Sequence, residues 1–418
     1  MNGVGMYRIE DLHINGKAMH FLEDNNLLLK FMLINICTGI WVGMVNFIIP
    51  VFALSLHANS VEIGLIRGLS GVGDLLLVLP AGLMIDYFGS KQIYIISCAI
   101  GGLITILLSF AGAPWVLIVM MIFYGMARSV RTTSLNASFF QYMSSIGTRK
   151  GGWYKGSMTV GTQFLAPVIG GILAVTLSFT GYFIATSLFL LTPIFIVLGR
   201  RRGDSFMLPA REKKQGSSDG GLSYYGMLLK NKIMINASIT ECINSAFFVT
   251  FSTFLTVMVI TDLKLTVAFA AMLITTRGLT QMLVVFFGGR LLEINNAHLY
   301  IVCFVISSLG LLLLGISRDV SLLMLACAIL GTFNGLMTLI TFTQVGNIKG
   351  QKGKIAGVFS FGQKTGMVIG PVLGGIVGEI IGLQAIFLCF IPFFLAMALY
   401  NLIESRRQDR HKTDSDCL

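Results

Sequence analysis

The sequence predicts an all-α integral membrane protein whose 12 transmembrane helices form two pseudo-symmetric six-helix bundles. Three observations carry this. The 418 residues are 55% hydrophobic and only 12% charged, against about 25% charged in a soluble domain. The apolar residues gather into continuous runs, each near the ~20 residues that a helix needs to cross a ~30 Å hydrocarbon core. The two halves of the chain echo each other. Arg67-Gly68-Leu69-Ser70 returns as Arg277-Gly278-Leu279-Thr280, Tyr94-Ile95-Ile96 as Tyr300-Ile301-Val302, Gly125 as Gly331, and Ala166-Pro167-Val168-Ile169-Gly170-Gly171 as Gly370-Pro371-Val372-Leu373-Gly374-Gly375. Echoes in one order at nearly one spacing imply homologous halves, and in a membrane chain such symmetry points to a solute site between them.

In chain order, residues 1–27 form an N-terminal segment containing Glu10, Asp11, Glu23 and Asp24. It has no apolar core followed by a small-residue cleavage site, so it is no signal peptide. The first bundle covers 28–199, with runs at 31–56, 61–85, 92–112, 115–137, 154–177 and 180–199. A linker at 200–230 carries Arg200-Arg201-Arg202 and the flexible stretch Gly216-Ser217-Ser218-Asp219-Gly220-Gly221. The second bundle covers 231–404, with runs at 233–260, 265–289, 298–317, 320–343, 356–379 and 383–403, and 405–418 is a tail. The runs are continuous and too long for the alternating strands of a β-barrel.

The net charge of +11 does not point to nucleic acid, because the basic residues cluster between apolar runs. One set of loops holds Lys91, Arg149, Lys150, the linker cluster, Arg290, Lys349, Lys352, Lys354 and the basic tail. The other holds only Lys264 and Arg318. The positive-inside rule places the rich side, and with an even number of spans both termini, in the cytoplasm. The expected location is the plasma membrane, in a bacterium the inner membrane. Six of the seven cysteines lie in apolar runs without CxxC or Cys/His spacing, so they read as packing residues rather than metal ligands or disulfides. No ATP-binding loop, HExxH or GxSxG is present. No enzyme activity, metal or cofactor is expected.

Span two ends in Gly82-Leu83-Met84-Ile85-Asp86-Tyr87-Phe88-Gly89-Ser90-Lys91, and span eight ends in Gly289-Arg290-Leu291-Leu292-Glu293. Gly82 is expected to allow close helix approach and Gly89 a tight turn. Here the chain resembles the major facilitator superfamily, across all its spans, the 6+6 arrangement and the central linker. The resemblance implies that Asp86 joins a charge network holding the cytoplasmic gate shut, with Gly82, Gly89, Lys91, Gly289 and Glu293 in the gate. Tyr87 and Ser90 replace residues that are usually basic, so the network is thinner. Span five, with Gly161, Ala166-Pro167 and Gly170-Gly171, looks like the glycine/proline motif of the family's antiporters. Span eleven carries the fuller form in Gly370-Pro371 and Gly374-Gly375. Small residues form a packing seam and the proline a bend. This pattern favours export. Met121 stands where drug antiporters carry an Arg, which argues against a drug/proton antiporter.

Ionisable residues at membrane depth are costly and mark functional sites. They are Arg67 and Asp74 in span two, Arg128 and Arg131 in span four, Glu241 in span seven, Arg277 in span eight and Lys364 in span eleven. Spans three, six, nine and twelve have none in their interiors, and these are the family's lipid-facing helices. At 1.5 Å per residue, Arg128, Arg277, Lys364 and Glu241 fall about 14–20 Å from a loop. Cations outnumber carboxylates, and Arg suits carboxylate or phosphate recognition. The expected solute is therefore a small anionic or zwitterionic organic molecule bound by Arg128, Lys364, Arg277, Asn334, Gln163 and Arg67. The competing reading pairs these charges internally, Arg67 or Arg128 with Asp74 and Lys364 with Glu241. Asp74 and Glu241 are the candidates for proton coupling, since a carboxylate in an apolar setting can hold a proton. The expected protein is a secondary transporter working by alternating access as a monomer in the lipid bilayer, with a proton or another ion as the coupling partner. An importer, or a transporter-like sensor without flux, is the alternative.

Overall fold

The computed structural model describes residues 6–146, 151–198, 230–288, 296–348 and 352–416. Among them all regular structure is helical. Span one is Met6–Ser55, span two Ser60–Phe88, span three Ser90–Leu108 and span four Pro114–Ile146. Span seven is Lys232–Thr261, span eight Val267–Phe287, span nine Asn296–Ile316, span ten Val320–Asn347 and span eleven Lys352–Ile380. Span six is divided into Phe179–Leu188 and Leu191–Leu198, and span twelve into Leu383–Leu388 and Phe390–Asp416. Among the described residues, 10 helices are long and apolar enough to cross a membrane. Spans two and eleven, 29 residues each, complete the bundle. The expected segment before residue 28 is continuous with span one from Met6 onward.

Local chemistry sets the ends. Asn59 caps span two in a reciprocal capping box with Glu62. Asn231 accepts from the amides of Ile233 and Met234, and Asp319 from those of Ser321 and Leu322. Span two stops at Gly89, whose φ of 84° suits a residue without Cβ. This is the tight turn expected there.

Span five departs from a regular helix. Gly151–Thr159 leads into a π-helical turn, Val160–Leu165, and then into Ala166–Thr176. The Ala166 amide bonds back five residues to the Gly161 carbonyl. Pro167 follows and has no N–H to donate, so the wide turn lies where α-helical bonding is already interrupted.

The echoed glycines make equivalent contacts. A side chain on Gly125 would overlap the Ser70 carbonyl, and one on Gly331 would overlap that of Arg277, so spans four and ten touch spans two and eight backbone to backbone. Gly161 meets Gly39 between spans five and one, and Gly370 meets Ala246 between spans eleven and seven. Aromatic packing fills the rest of each bundle. Phe139 and Tyr154 stack at 3.8 Å, and Phe247 lies 5.7 Å from Phe394.

Two seams join the halves. Between spans two and eleven, Gly64 lies on Pro371 and Gly375, and Gly68 on Val368 and Val372. Between spans five and eight, Gly278 lies on the Gln163 carbonyl and Gly171 on Ala271. At the end away from the basic loops the first seam is tight, and the Ser60 amide donates to Glu379 Oε2 at 3.0 Å. Toward the basic loops the contact is not continued: a Cβ on Gly82 or Gly357 would meet nothing within 4 Å. The close approach expected at Gly82 is therefore absent in this structure.

Candidate functional site

Five of the seven mid-membrane charges, Arg67, Asp74, Arg128, Arg277 and Lys364, meet at the boundary between the halves, while the hydrogen bonds described for Glu241 stay within the second half. Arg131 is buried within the first bundle, its guanidinium 5.2 Å from the centre of the Trp41 ring, while Trp41 Nε1 donates to Thr105 at 2.9 Å.

Asp74 is the centre of the first cluster and is wholly buried. Arg128 grips it with two donors. Nε reaches Oδ1 at 3.2 Å, and Nη2 bonds Oδ2. Arg128 sits one turn beyond Gly125, where the helices touch, so its guanidinium meets span two directly. From the other half, Lys364 Nζ donates to Asp74 Oδ2 at 2.8 Å. Spans two, four and eleven thus contribute one carboxylate and two cations. The Lys364 side chain is 20% exposed while Asp74 is 0% exposed, so the lysine is the cluster's accessible edge.

Arg277 is the centre of a second cluster. Its Nη2 donates to Asn334 Oδ1 at 2.8 Å and its Nη1 to Gln163 Oε1 at 3.4 Å. Asn334 in turn donates to Asn244. Phe248 and Phe251 lie 4.8 Å from the guanidinium carbon and Phe247 lies 5.8 Å away. Among the described residues its hydrogen-bond partners are neutral. The π-turn of span five carries Gln163, which links that irregularity to the site.

Arg67 bridges the halves nearer the tight end. Nε reaches Thr253 Oγ1 at 3.1 Å and Nη1 reaches Asn46 Oδ1 at 2.6 Å. Glu241 accepts from Gln363 Nε2 at 2.9 Å and from Ser245 Oγ at 3.5 Å.

These placements revise the internal pairs expected from sequence. Arg128 does pair with Asp74. Lys364 pairs with Asp74 as well, and the residue before it, Gln363, takes Glu241. One carboxylate is thus shared between two cations, which linear spacing does not reveal. Thr253, Phe248 and Phe251 escaped the sequence reading. The signal was the aromatic set Phe247, Phe248 and Phe251, one turn apart on the helix that bears Glu241. In the expected gate, Asp86 and Lys91 lie on the ends of spans two and three, and Gly289 and Glu293 lie outside the described residues.

A twelve-span bundle with two echoed halves and buried charge at their boundary is the architecture of a membrane carrier. The family model of the Major Facilitator Superfamily matches residues 31–261 and 237–416, and the chain belongs to that superfamily. An uncharacterized MFS-type transporter of Methanocaldococcus jannaschii is 28% identical over 142 residues, 33% of this chain and 36% of the relative. The chain thus aligns with about a third of that protein. Among solved structures, a point mutant of the nucleoside transporter NupG superposes with a TM-score of 0.74 at 15% identity, over 90% of this chain and 99% of that one. A bacterial homologue of the lysosomal transporter Spinster, inward-facing and unoccupied, gives 0.74 at 13% identity over 92% and 97%. A POT family transporter in complex with 5-aminolevulinic acid gives 0.74 at 12% over 91% and 96%. At these identities the likeness is one of fold. The chain is a multi-pass membrane transporter.

Proposed function

We propose that this protein is a proton-coupled secondary transporter of a small organic anion, working by alternating access in the cytoplasmic membrane. The observation that carries this reading is the sharing of Asp74 between Arg128 of its own half and Lys364 of the other. Two cations on one buried carboxylate leave an excess positive charge that an anion at Lys364 would offset. An arriving anion that takes Lys364 weakens the hold of that cation on Asp74, which raises the affinity of the carboxylate for a proton. Anion and proton therefore load together, and the exchange loosens a contact that ties the halves. Glu241, which accepts from Gln363 of span eleven, is the secondary candidate for the proton.

This linkage bears on direction. The span-five pattern suggests export by exchange. Loading anion and proton together instead makes an inward proton gradient drive uptake, and the Asp74 geometry favours this second reading. Spans two and eleven touch at Gly64, while a Cβ at Gly82 would meet nothing within 4 Å. With the basic loops in the cytoplasm, that shape is open to the inside, where a cotransported pair would be released.

Purified protein in liposomes tests the reading. An inward proton gradient is expected to drive accumulation of a small organic anion. Asp74→Asn should abolish accumulation while leaving some exchange of labelled for unlabelled anion. Equal accumulation by wild type and Asp74→Asn would overturn the coupling role.

A further inference from the structure

The two buried clusters lie on repeat-related helices, although Arg277 itself echoes Arg67 and only Arg128 and Asn334 occupy equivalent positions. Asp74, Arg128 and Lys364 come from spans two, four and eleven. Arg277, Asn334 and Gln163 come from spans eight, ten and five, which are the equivalent helices of the other half. Arg128 lies three residues after Gly125 and Asn334 three residues after Gly331, and each glycine sits in the same kind of backbone contact. The two clusters therefore stand at the two seams that join the halves, spans two and eleven on one side and spans five and eight on the other, and form two walls of the boundary.

The walls differ in chemistry but not in net charge, and Arg67, bonded to Thr253 and Asn46 nearer the tight end, belongs to neither. On one, two cations share one carboxylate, which leaves one positive charge. On the other, one arginine bonded to two neutral amides also leaves one. Among the described residues, neither excess is matched by a carboxylate within its own cluster. An unmatched charge at membrane depth is expensive, and each wall has a donor that an anion would satisfy. Lys364 is partly exposed, and Arg277 Nε has no hydrogen-bond partner among the described residues. The longer bond from Arg277 to Gln163, 3.4 Å, is the one most readily given up.

We propose that the solute is a small organic dianion with its negative charges at opposite ends, one held by Lys364 and Arg128, the other by Arg277. This rests on the anion reading above and narrows it. A monoanion would neutralise one wall and leave the other charged. A zwitterion would place its ammonium against a wall that is already positive. The three phenylalanines around Arg277 make the arginine end apolar apart from its donors, so that wall suits a bare carboxylate on a short hydrocarbon stem.

The test uses the full-length protein in detergent and in liposomes. Butanedioate, pentanedioate, butanoate, 4-aminobutanoate and methyl phosphate are compared by binding and by competition for uptake. The dicarboxylates are expected to bind at least ten-fold more tightly than butanoate and 4-aminobutanoate. They should also outcompete methyl phosphate, which has both charges at one end. Arg277→Gln should collapse the ratio of dicarboxylate to monocarboxylate affinity toward one, and Arg277→Lys should retain part of it. Asn334→Asp keeps the arginine but gives it a carboxylate, and should lose the preference too, which guards against misfolding of the Arg277 variants. Equal binding of butanoate and butanedioate would sink the dianion and leave an anion transporter standing. Tighter binding of methyl phosphate would move both charges to one wall and overturn the two-ended mode. No binding or flux of any of these anions would overturn the anion reading itself.

Discussion

Lys364 reaches across the boundary between the halves to Asp74, Nζ to Oδ2 at 2.8 Å, on a carboxylate already held by Arg128. The contact places a buried carboxylate, a partly exposed cation and a tie between the two halves in one bond. On the proposed mechanism, a proton, an anion or a relative motion of the halves would break it.

Removing the shared carboxylate should be costly. Asp74→Asn keeps the size and leaves two buried cations without their partner, and breaking a buried pair typically costs ~3–5 kcal/mol. Thermal unfolding in detergent should show a clear fall in midpoint. Adding Lys364→Gln should restore part of it, because the uncompensated charge is reduced. A double variant no more stable than Asp74→Asn alone would show that the lysine is not stabilised by this carboxylate.

The seam between spans five and eight offers a matched pair of glycine substitutions. A Cβ at Gly278 would overlap the Gln163 carbonyl, whereas a Cβ at Gly82 meets nothing within 4 Å. Gly278→Ala should destabilise by ~1–3 kcal/mol, the usual cost of overpacking. Gly82→Ala should leave stability within ~0.5 kcal/mol. Similar melting curves for the two would contradict the packing described.

The tight end of the other seam should be adjustable without touching the charged clusters. Gly64→Val forces a branched side chain against Pro371 and Gly375, and Glu379→Gln weakens the contact with the first amide of span two. Both should shift the population toward opening at that end, the glycine variant more strongly. Glu379 is exposed and its interaction with a helix N-terminus is small. Spin-label distances between the Ser60 and Ile380 ends would read the shift, and an unchanged distribution for Gly64→Val would count against the seam as a closure contact.

Pro167→Ala returns an N–H to span five just after its π-turn. The turn should relax toward α-helical bonding, rotating Gln163 away from Arg277. Because the solute displaces the bond from Arg277 to Gln163, a gain in dicarboxylate affinity with little change in melting temperature is the expected result. Unchanged affinity would show that the turn is held by packing alone.

Much of the fold was legible because a bilayer reduces the options. Without water to satisfy the backbone, long apolar runs must be helices, and the repeated glycines and prolines disclosed two halves. The identity of the mid-membrane charges was legible for the same reason, since a charge at that depth stands out from its neighbours. Their partners were not. Lys364 and Glu241 are both on the second half and suggest a pair, yet adjacent positions on a helix point about 100° apart. That rotation sends Gln363 to Glu241 and Lys364 across to Asp74. Gly82 differs from its sequence expectation on related grounds. A glycine permits close approach, but only the course of the neighbouring helix decides whether anything approaches.

The sequence by itself therefore determined the solvent this chain lives in, its helices, its internal symmetry and the residues carrying charge, because each is written in composition and spacing along one dimension. The tertiary structure alone decided that Asp74 serves two cations, that Arg277 is left with neutral partners among aromatic rings, and which end of the seam is tight. Those facts depend on how helices distant in sequence rotate and tilt against each other. Close packing sets that arrangement, and linear spacing does not encode it.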